Sequence, residues 1–474
     1  MTKYEKTKIS GTCAVFAVYA KLLPIALSRI LPDKEPILAD IRPFHGVHYN
    51  PSLVKDLAKV ICPPYDIITP QMQQELYQRS DNNFVRIEFG RELPQDKDTD
   101  NKYTRASSTL KKWLEQGILK VDEKPSFYID DHHFTHQGKT YRRRGVNCLV
   151  KLEDWNSMIV RPHEGTLSRP RGERLNLLWA LQANTSPIMA LYEDGEGKIS
   201  SILDTQTKAK PALNAENVDG ESHRLWSSTN AQAIDRIRAC LADRPLYIAD
   251  GHHRYESALA YQRERRSYEQ SPPGSQPFDY VMMTLTDIAD PGLVILPAHR
   301  LVRGMVRSAL DGLLDGLKEF FTVEELPLNK TNIRSQISGL LSVDKDELKL
   351  VLYGLKKGRL LLLTLRDFSV VRPMFPYFHS ELYQKLDVSI VDHVILEELL
   401  GLTHEITGAF LDYTNDAPEA IEKVLDGEYQ LAVIVNPVKP GVIKAIADAG
   451  DRMPRKSTYF YPKVPAGLVL YRFG

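Results

Sequence analysis

The sequence predicts a mixed α/β protein, because strand-like and helix-like segments alternate along most of the chain. The apolar run at residues 245–249 ends at a glycine turn, and apolar residues at helical spacing follow it over residues 252–266. The chain has 474 residues, of which 43% are hydrophobic and 26% charged, a composition typical of a globular protein with a sizeable core. We expect two α/β parts, at residues 37–304 and 305–474.

Capping and turn residues mark the boundaries of the predicted elements in the first part of the chain. Thr69 and Pro70 predict a helix start, with threonine as the N-cap and proline in the first turn. Gln137-Gly138 separates two strand-like runs and predicts a β-hairpin. Residues 158–174 are rich in Arg, Pro and Gly, and we expect them to be irregular. The predicted elements are a helix at 69–78, a strand at 84–89, a helix at 101–116, the hairpin at 126–136 and 139–151, a helix at 175–183, a strand at 187–192, a helix at 230–241, the strand and helix at 245–249 and 252–266, and strands at 280–285 and 293–302.

The second part continues the alternation of strands and helices. Its predicted elements are a helix at 308–320, strands at 349–353 and 360–364, a helix at 389–400, two further α/β units at 406–423 and 430–448, and a last strand at 466–472. We find no internal repeat.

Charge and cysteine usage restrict the function classes. The chain has 61 basic and 61 acidic residues, so its net charge is zero. We therefore expect no nucleic-acid partner, since a surface that wraps nucleic acid needs an excess of Lys and Arg. The four cysteines form no C-x-x-C pair, which argues against a zinc knuckle and is typical of reduced thiols in the cytoplasm, where we expect the protein.

The first 36 residues differ from the rest of the chain. Three lysines precede an apolar run at residues 11–20, which Lys21 interrupts. A membrane-spanning helix needs about 20 consecutive apolar residues, so we expect no stable membrane association. We interpret residues 1–36 as an extension outside the fold, with a weak membrane-surface helix as the alternative.

The strongest candidate for a functional site follows the strand at residues 245–249. A helix that starts there exposes unpaired amide groups and a partial positive charge, glycine permits close approach of an oxyanion, and a guanidinium suits phosphate. The histidines add donors or a proton shuttle, and the aspartate either holds Mg²⁺ or caps the helix. This pattern predicts a phosphate-binding turn, and the alternative is a purely structural turn. The residues are Asp250, Gly251, His252, His253 and Arg254.

A second candidate lies at residues 161–174, where Arg161, Arg169, Arg171 and Arg174 accompany His163, Glu164 and Glu173. Arginines at this density indicate an anionic partner. Glu164 among them is a candidate general base. The alternative is a solvated charged loop.

Four further segments are weaker candidates, each with a purely structural alternative. They are the constrained turn at residues 61–66, His299 with Arg300, the aromatic and lysine segment at 456–463, for which a packed C-terminal strand is the favoured interpretation, and the pair His132 and His133. Since neighbouring strand residues face opposite ways, we do not expect His132 and His133 to chelate one metal. Signatures of P-loop, dinucleotide-binding, zincin and hydrolase-elbow proteins are absent from the sequence.

Taken together, five segments resemble the DUF1015 family of uncharacterised bacterial and archaeal proteins. The family name carries no assigned activity, and residues 1–36 lie outside the resemblance. The segments are residues 40–44, 61–67, 161–166, 247–254 and 456–463.

A more distant resemblance links the motifs to chemistry. The Asp-Gly-His-His-Arg turn is similar to the nucleotide-phosphate turn of ParB/sulfiredoxin-like domains, especially that of free serine kinases, in which an upstream Pro-His-Glu segment supplies a glutamate that acts on the serine hydroxyl. The resemblance implies a ParB/sulfiredoxin-like catalytic region at 37–304, with Glu164 as the base, His163 beside it and Glu173 as a looser second acid. It also implies nucleotide-phosphate binding by Arg161, Arg174, Asp250, Gly251, His252, His253 and Arg254, with Mg²⁺ on Asp250.

The resemblance therefore implies a magnesium-dependent phosphotransferase that interconverts L-serine and O-phosphoserine with ATP or ADP. Two alternatives stay open at this point. One is a nucleotide-binding switch protein without turnover, like ParB domains. The other is a metal-dependent phosphohydrolase.

Overall fold

The structure is a computed structural model that describes residues 39–166, 168–216, 220–269, 272–342, 347–403 and 407–474. The predicted extension at residues 1–36 lies outside the described residues.

The strands, in chain order, are β1 Ile41–Arg42, β2 Gly46–Tyr49, β3 Leu119–Val121, β4 Phe127–His136, β5 Lys139–Lys151, β6 Val160–Arg161, β7 Ala183–Asn184, β8 Ile188–Tyr192, β9 Leu213–Glu216, β10 Ser222–Ser228, β11 Leu246–Asp250, β12 Tyr280–Asp287, β13 Val294–Leu296, β14 His299–Val302, β15 Phe321–Pro327, β16 Lys349–Tyr353, β17 Arg359–Leu365, β18 Leu411–Thr414, β19 Leu431–Ile434, β20 Tyr459–Tyr461 and β21 Leu470–Arg472.

The α-helices, in chain order, are α1 Pro70–Arg79, α2 Val85–Glu88, α3 Lys102–Glu115, α4 Ser168–Leu181, α5 Lys198–Gln206, α6 Ala231–Leu241, α7 His252–Tyr268, α8 Arg307–Phe320, α9 Ile333–Leu341, α10 Phe368–Val371, α11 Glu381–Gln384, α12 Asp387–Ile390, α13 Thr407–Phe410, α14 Ala417–Leu425 and α15 Pro440–Asp448. A π-helix at Val391–Leu399 continues α12.

In the described part of the chain, these strands form four sheets. The largest runs in the order β6-β11-β8-β12-β5-β4-β10-β9, with β1 on β5, and its parallel pairs are β6 with β11 and β8 with β12. A second sheet runs in the order β15-β17-β16-β19-β14-β18. The smaller sheets are β3-β2-β21-β7 and β13-β20. The predicted mixed α/β class is confirmed.

The C-terminal segment returns to the first part of the chain. Strand β20 pairs with β13, and β21 pairs with both β2 and β7. This return brings residues 453–463 against the segments that precede and follow β11, while the division at residue 304 stays a prediction.

Strand β11 is buried on both faces, which explains its unbroken apolar sequence. Ile248 packs with Tyr255 and the helices on one face, and Tyr247 and Ala249 pack with residues of the second sheet on the other. Asp250 is the last residue of the strand and, unlike the four residues before it, is only partly buried.

The N-cap and hairpin-turn residues in the sequence predicted several elements correctly. Thr69 accepts a hydrogen bond from the Met72 amide at 3.2 Å, as an N-cap does. Gln137 and Gly138 have φ angles of 50° and 77°, so both residues adopt the left-handed conformation that tight hairpin turns favour.

Other predicted elements were wrong. Residues 84–89 contain helix α2 rather than a strand, because Oδ1 of Asn83 accepts a hydrogen bond from the Val85 amide at 3.0 Å and a single turn buries both Val85 and Ile87. Helix α4 begins at Ser168, within the segment predicted to be irregular, since proline at residue 170 is compatible with a first helical turn. The predicted strand at 293–302 is divided by Pro297 into β13 and β14, which lie in different sheets.

Candidate active site

The structure brings the two strongest sequence candidates together at the end of β11. The His163 amide donates to Nε2 of His252 at 3.3 Å, and Nδ1 of His163 donates to the Ile248 carbonyl oxygen at 2.7 Å. The loop that carries Glu164 therefore packs directly on the turn that carries Asp250 and the start of α7, although about ninety residues separate them in the chain. This contact defines one candidate site from two separate motifs.

The turn itself depends on glycine. Gly251 has a φ angle of 95°, and a Cβ atom there would lie 2.9 Å from Nε of Arg254. Glycine thus lets β11 pass into α7 with no residue between Asp250 and the helix start other than Gly251. The first amide groups of α7 have no partner within the helix, so they and the helix dipole favour an anion at this end.

Asp250 is held by two cations. Its Oδ2 accepts from Nη2 of Arg254 at 2.6 Å, and its Oδ1 accepts from Nζ of Lys463. Burial by itself would raise the pKa of Asp250, but the charges of Lys463 and Arg254 outweigh it and hold that pKa well below its usual range. Lys463 also lies 3.7 Å from Oδ2 of Asp66.

Lys463 is held in its protonated, positively charged form by the same contacts. Burial would lower its pKa, but the neighbouring charges of Asp250 and Asp66 raise the pKa above the ordinary value for lysine. Since each oxygen of Asp250 already accepts from a cation, the described residues do not fit the predicted Mg²⁺ role of Asp250. The fixed positive charge at this turn comes instead from Lys463 and Arg254.

The histidines of the site are neutral donors and acceptors at neutral pH. Burial lowers the pKa values of His163 and His252, and their rings meet edge to face at 4.7 Å. His253 is half-buried, its pKa is lowered first by burial, and its Nδ1 atom has no hydrogen-bond partner among the described residues. After burial, the charges of Glu256, Lys456, Asp66 and Glu164 are the further influences on the pKa of His253.

Glu164 is positioned by the returning C-terminal segment. Its Oε1 accepts from the amides of Ser457 and Thr458, each at 3.2 Å, and from the Thr458 hydroxyl at 3.1 Å. Lys456, immediately before them, has a φ angle of 58°, in the left-handed region that turns successive amides toward one acceptor. Nη1 of Arg452 donates to the Glu164 carbonyl oxygen at 3.1 Å. These contacts fix one carboxylate oxygen, and within the described residues no hydrogen bond engages Oε2.

Thr458 also joins Glu164 to His163. Because Nδ1 of the neutral His163 ring donates to Ile248, its Nε2 is an acceptor, and it lies 3.0 Å from the Thr458 hydroxyl. The single hydroxyl proton of Thr458 can therefore go to either Nε2 of His163 or Oε1 of Glu164.

Three predicted site residues have partners outside this cluster. Arg161 pairs with Asp448. Glu173 pairs with Lys102. Arg174 is buried, with Nη1 3.2 Å from Oε1 of Glu88 and its guanidinium 3.9 Å from the centre of the Tyr65 ring. The side chain of Arg169 lies outside the described part of the chain.

Sequence reasoning underrated the residues that complete the site. Asp66, Thr458 and Lys463 come from the two segments ranked as weaker candidates, at residues 61–66 and 456–463. The sequence signal for two of them was a charged residue close to proline, Asp66 after Pro63-Pro64 and Lys463 after Pro462. The buried Glu88 carries no sequence signal, since it was placed in a predicted strand.

The other weak candidates are structural. Arg300 is fully buried and pairs with Asp392 at 3.2 Å. His132, Glu221 and His223 are the group of potential metal ligands found within the described residues, with ligand atoms less than 4.8 Å apart. Nη2 of Arg143, however, donates to Nδ1 of His132 at 3.2 Å, so the proton of the neutral ring is on Nε2, the atom that faces Glu221. This tautomer is a hydrogen-bond donor and not a metal ligand.

Comparisons with known proteins add a family and several distant likenesses. A family model described as "Protein of unknown function (DUF1015)" matches residues 41–389, and no curated protein matches the chain. Similar solved structures include a conserved hypothetical protein from Pyrococcus furiosus, with 13% identity, a TM-score of 0.33 and coverage of 69% of this chain and 95% of that chain. A free serine kinase in complex with AMP has 13% identity and a TM-score of 0.34, and the match covers 68% of this chain and 92% of that chain.

SbnI with a C-terminal truncation, from Staphylococcus aureus, is similar at 9% identity and a TM-score of 0.32, over 69% of this chain and 87% of that chain. At TM-scores of this size, none of these likenesses assigns a function to the chain. No helix in the described ranges is long and apolar enough to cross a membrane.

Proposed function

The chain belongs to the DUF1015 family, as its motifs predict and as the match over residues 41–389 establishes, and we propose that it is a nucleotide-dependent phosphotransferase that interconverts L-serine and O-phosphoserine. One observation carries the proposal: a carboxylate held by two backbone amides, that of Glu164, lies in the loop that packs on the proposed phosphate-binding turn at residues 250–254. A base and an anion site side by side are what transfer to a hydroxyl requires.

In the proposed reaction, the nucleotide phosphates lie at the start of α7. The amide groups there, His253 and the cations Arg254 and Lys463 stabilise the negative charge of the phosphates. The described residues offer no ligand set for Mg²⁺ at Asp250, so the proposed steps use side chains and backbone amides alone.

Glu164 accepts the proton of the serine hydroxyl as its oxygen attacks the terminal phosphorus of ATP or ADP. The new bond joins that oxygen to phosphorus, and the bond from phosphorus to the bridging oxygen of the departing nucleotide breaks. The two backbone amides that donate to Oε1 of Glu164 leave Oε2 to take the proton. In reverse, protonated Glu164 returns the proton to serine as phosphate passes from O-phosphoserine to the nucleotide.

Phosphorus NMR on the full chain tests the proposal. One sample contains Mg²⁺, ATP or ADP and L-serine, and the other contains Mg²⁺, AMP or ADP and O-phosphoserine. We expect the phosphoserine signal to change in step with the nucleotide, and this conversion to be lost in Glu164→Gln while calorimetry shows unchanged nucleotide binding. Glu381→Gln, a surface glutamate paired with Lys385, is the matched control and keeps the conversion.

Two outcomes would contradict the proposal. Nucleotide binding without conversion in either sample would indicate a nucleotide-binding switch. Release of inorganic phosphate that does not respond to L-serine would indicate a phosphohydrolase.

A further inference from the structure

The buried ring of His163 ends on the hydroxyl group of Thr458. His163 is 1% exposed, and its Nδ1 atom lies 2.7 Å from the Ile248 carbonyl oxygen. A carbonyl oxygen only accepts hydrogen bonds, so Nδ1 carries the proton of the ring. Burial lowers the pKa of His163 and keeps the ring neutral at neutral pH. Its Nε2 atom is therefore an acceptor, and among the described residues the Thr458 hydroxyl, at 3.0 Å, is the donor that reaches it.

The Glu164 carboxylate competes for the same hydroxyl. Its Oε1 atom lies 3.1 Å from the Thr458 hydroxyl oxygen and accepts from the amides of Ser457 and Thr458, each at 3.2 Å. Oε1 of Glu164 and Nε2 of His163 are 3.9 Å apart, so they do not hydrogen-bond to each other directly. While Glu164 is ionised, neither of these two atoms carries a proton, and both acceptors share the single hydroxyl hydrogen of Thr458.

The charge on Glu164 decides which acceptor this hydrogen faces. A threonine hydroxyl rotates about its C–O bond to suit its partner. A hydrogen bond to an ionised carboxylate is roughly twice as strong as one between neutral groups, so the ionised form of Glu164 takes the hydrogen. A protonated carboxyl group loses that advantage, and the buried Nε2 atom of His163 is then the acceptor still to be satisfied. The hydroxyl of Ser457 does not substitute for that of Thr458, because it donates to the Pro454 carbonyl oxygen.

We propose that Thr458 is a positioning residue whose hydroxyl donates to Oε1 of Glu164 while Glu164 is ionised and to Nε2 of His163 once Glu164 has accepted a proton. This inference rests on the proposed function, in which Oε2 of Glu164 takes the proton of the serine hydroxyl. Thr458 keeps its own proton throughout and changes only its acceptor. A donor that stayed on Oε1 would oppose protonation of the carboxylate. Thr458 instead releases Glu164 as it becomes an acid and holds it again when the proton returns to serine.

Nitrogen NMR of the histidine rings in the full chain, without nucleotide or serine, tests the change of acceptor. Glu164→Gln imitates the protonated state, because glutamine is neutral and keeps a carbonyl oxygen for the two amides. We expect this substitution to move the ¹⁵N signal of His163 Nε2 to lower chemical shift, as accepting a hydrogen bond does. The movement should disappear when Thr458→Val is added and persist when Thr458→Ser is added instead. Thr109→Val, which removes a hydroxyl that donates to the Arg105 carbonyl oxygen in α3, is the matched control and keeps the movement.

The kinetics of the transfer reaction give a second measurement. We expect Thr458→Val to lower kcat about tenfold and to leave KM for serine unchanged, since the hydroxyl changes its acceptor only when the proton moves. Thr458→Ser should restore kcat, because serine keeps the hydroxyl. Absence of conversion in the unmodified protein would contradict the proposed function, whereas the spectra involve no substrate and still decide whether Thr458 changes its acceptor.

An unchanged Nε2 signal of His163 in Glu164→Gln would overturn the inference, and so would an equal movement of that signal when Thr458→Val is present. The first comparison leaves Thr458 unmodified, so it decides the matter even if Thr458→Val does not fold. A loss of kcat in Thr458→Val that Thr458→Ser does not restore would also contradict the inference, because it would assign the effect to packing of the threonine methyl group rather than to the hydroxyl.

Discussion

Replacement of Lys463 by methionine is expected to destabilise the protein by about 2–3 kcal/mol. Removing one partner of a buried ion pair typically costs about 3–5 kcal/mol, because the other charge is left uncompensated. Lys463 and Asp250 have side chains that are 9% and 16% exposed, so the pair qualifies as buried. Asp250 would still be paired with Arg254 at 2.6 Å, however, and this remaining partner places the cost below the usual range.

Urea unfolding followed by tryptophan fluorescence measures this loss. All four tryptophans lie in the first part of the chain, so their emission reports on the region that contains the turn. A double-mutant cycle with Asp250→Asn isolates the pair, and we expect a coupling of about 1 kcal/mol or more between the two substitutions. Lys423→Met, which breaks a more exposed pair with Glu419, is the matched control and should cost less than about 1 kcal/mol.

The reasoning would be refuted by a Lys463→Met protein as stable as the unmodified one within about 0.5 kcal/mol, the usual range for substitutions away from such features. Strict additivity of Lys463→Met and Asp250→Asn would refute it as well. Either result would mean that the two side chains do not share a buried contact.

Two further predictions concern the turn and acid stability. Gly251→Ala should lower the thermal unfolding midpoint, because its φ angle of 95° disfavours a side chain and the new Cβ atom would lie 2.9 Å from the Arg254 guanidinium. The control is Gly197→Ala, at a φ of 65° with open space around it, which should lower the midpoint less. Equal shifts of the midpoint in the two variants would contradict this prediction. Burial, followed by the charge of Arg300, lowers the pKa of His299 to about 4. The neutral His299 ring therefore contributes fully to the free energy of unfolding above the ordinary histidine pKa of about 6.5, and this contribution is lost as the pH falls from there to about 4. His299→Asn should therefore flatten the loss of stability between those pH values by up to about 3 kcal/mol, measured by urea unfolding at each pH, whereas an unchanged profile would show that His299 does not titrate in this way.

The sequence predicted those parts of the site that are determined by local hydrogen bonds and backbone geometry. The strand that ends at Asp250, the glycine turn and the helix that starts at His252 form from adjacent residues, and all three were predicted. The loop of Glu164 was identified by its composition, but its contact with the turn was not, since nothing in either segment specifies the other. The family was also identified from its motifs, while the roles of the individual site residues stay predictions.

The strand wrongly predicted at residues 84–89 also shows that local sequence does not specify contacts with distant parts of the chain. Its apolar residues fit both an alternating strand and a single helical turn, and local spacing does not separate the two over so short a segment. The hydrogen bond from the Val85 amide to Asn83 and the burial of Val85 and Ile87 select the helix, and burial depends on what the rest of the chain packs there. Glu88 becomes the buried partner of Arg174 only because of this turn.

By itself, the sequence determined the mixed α/β class, the hairpin turn at Gln137-Gly138 and the glycine turn before α7, because each depends on residues close together in the chain. The tertiary structure alone decided that Lys463 meets Asp250 and that Thr458 holds Glu164, contacts between residues 213 and 294 positions apart. Those contacts exist because β20 pairs with β13 and carries the C-terminal segment back to the end of β11. Pairing between distant strands depends on the packing of the whole core, which no local pattern encodes.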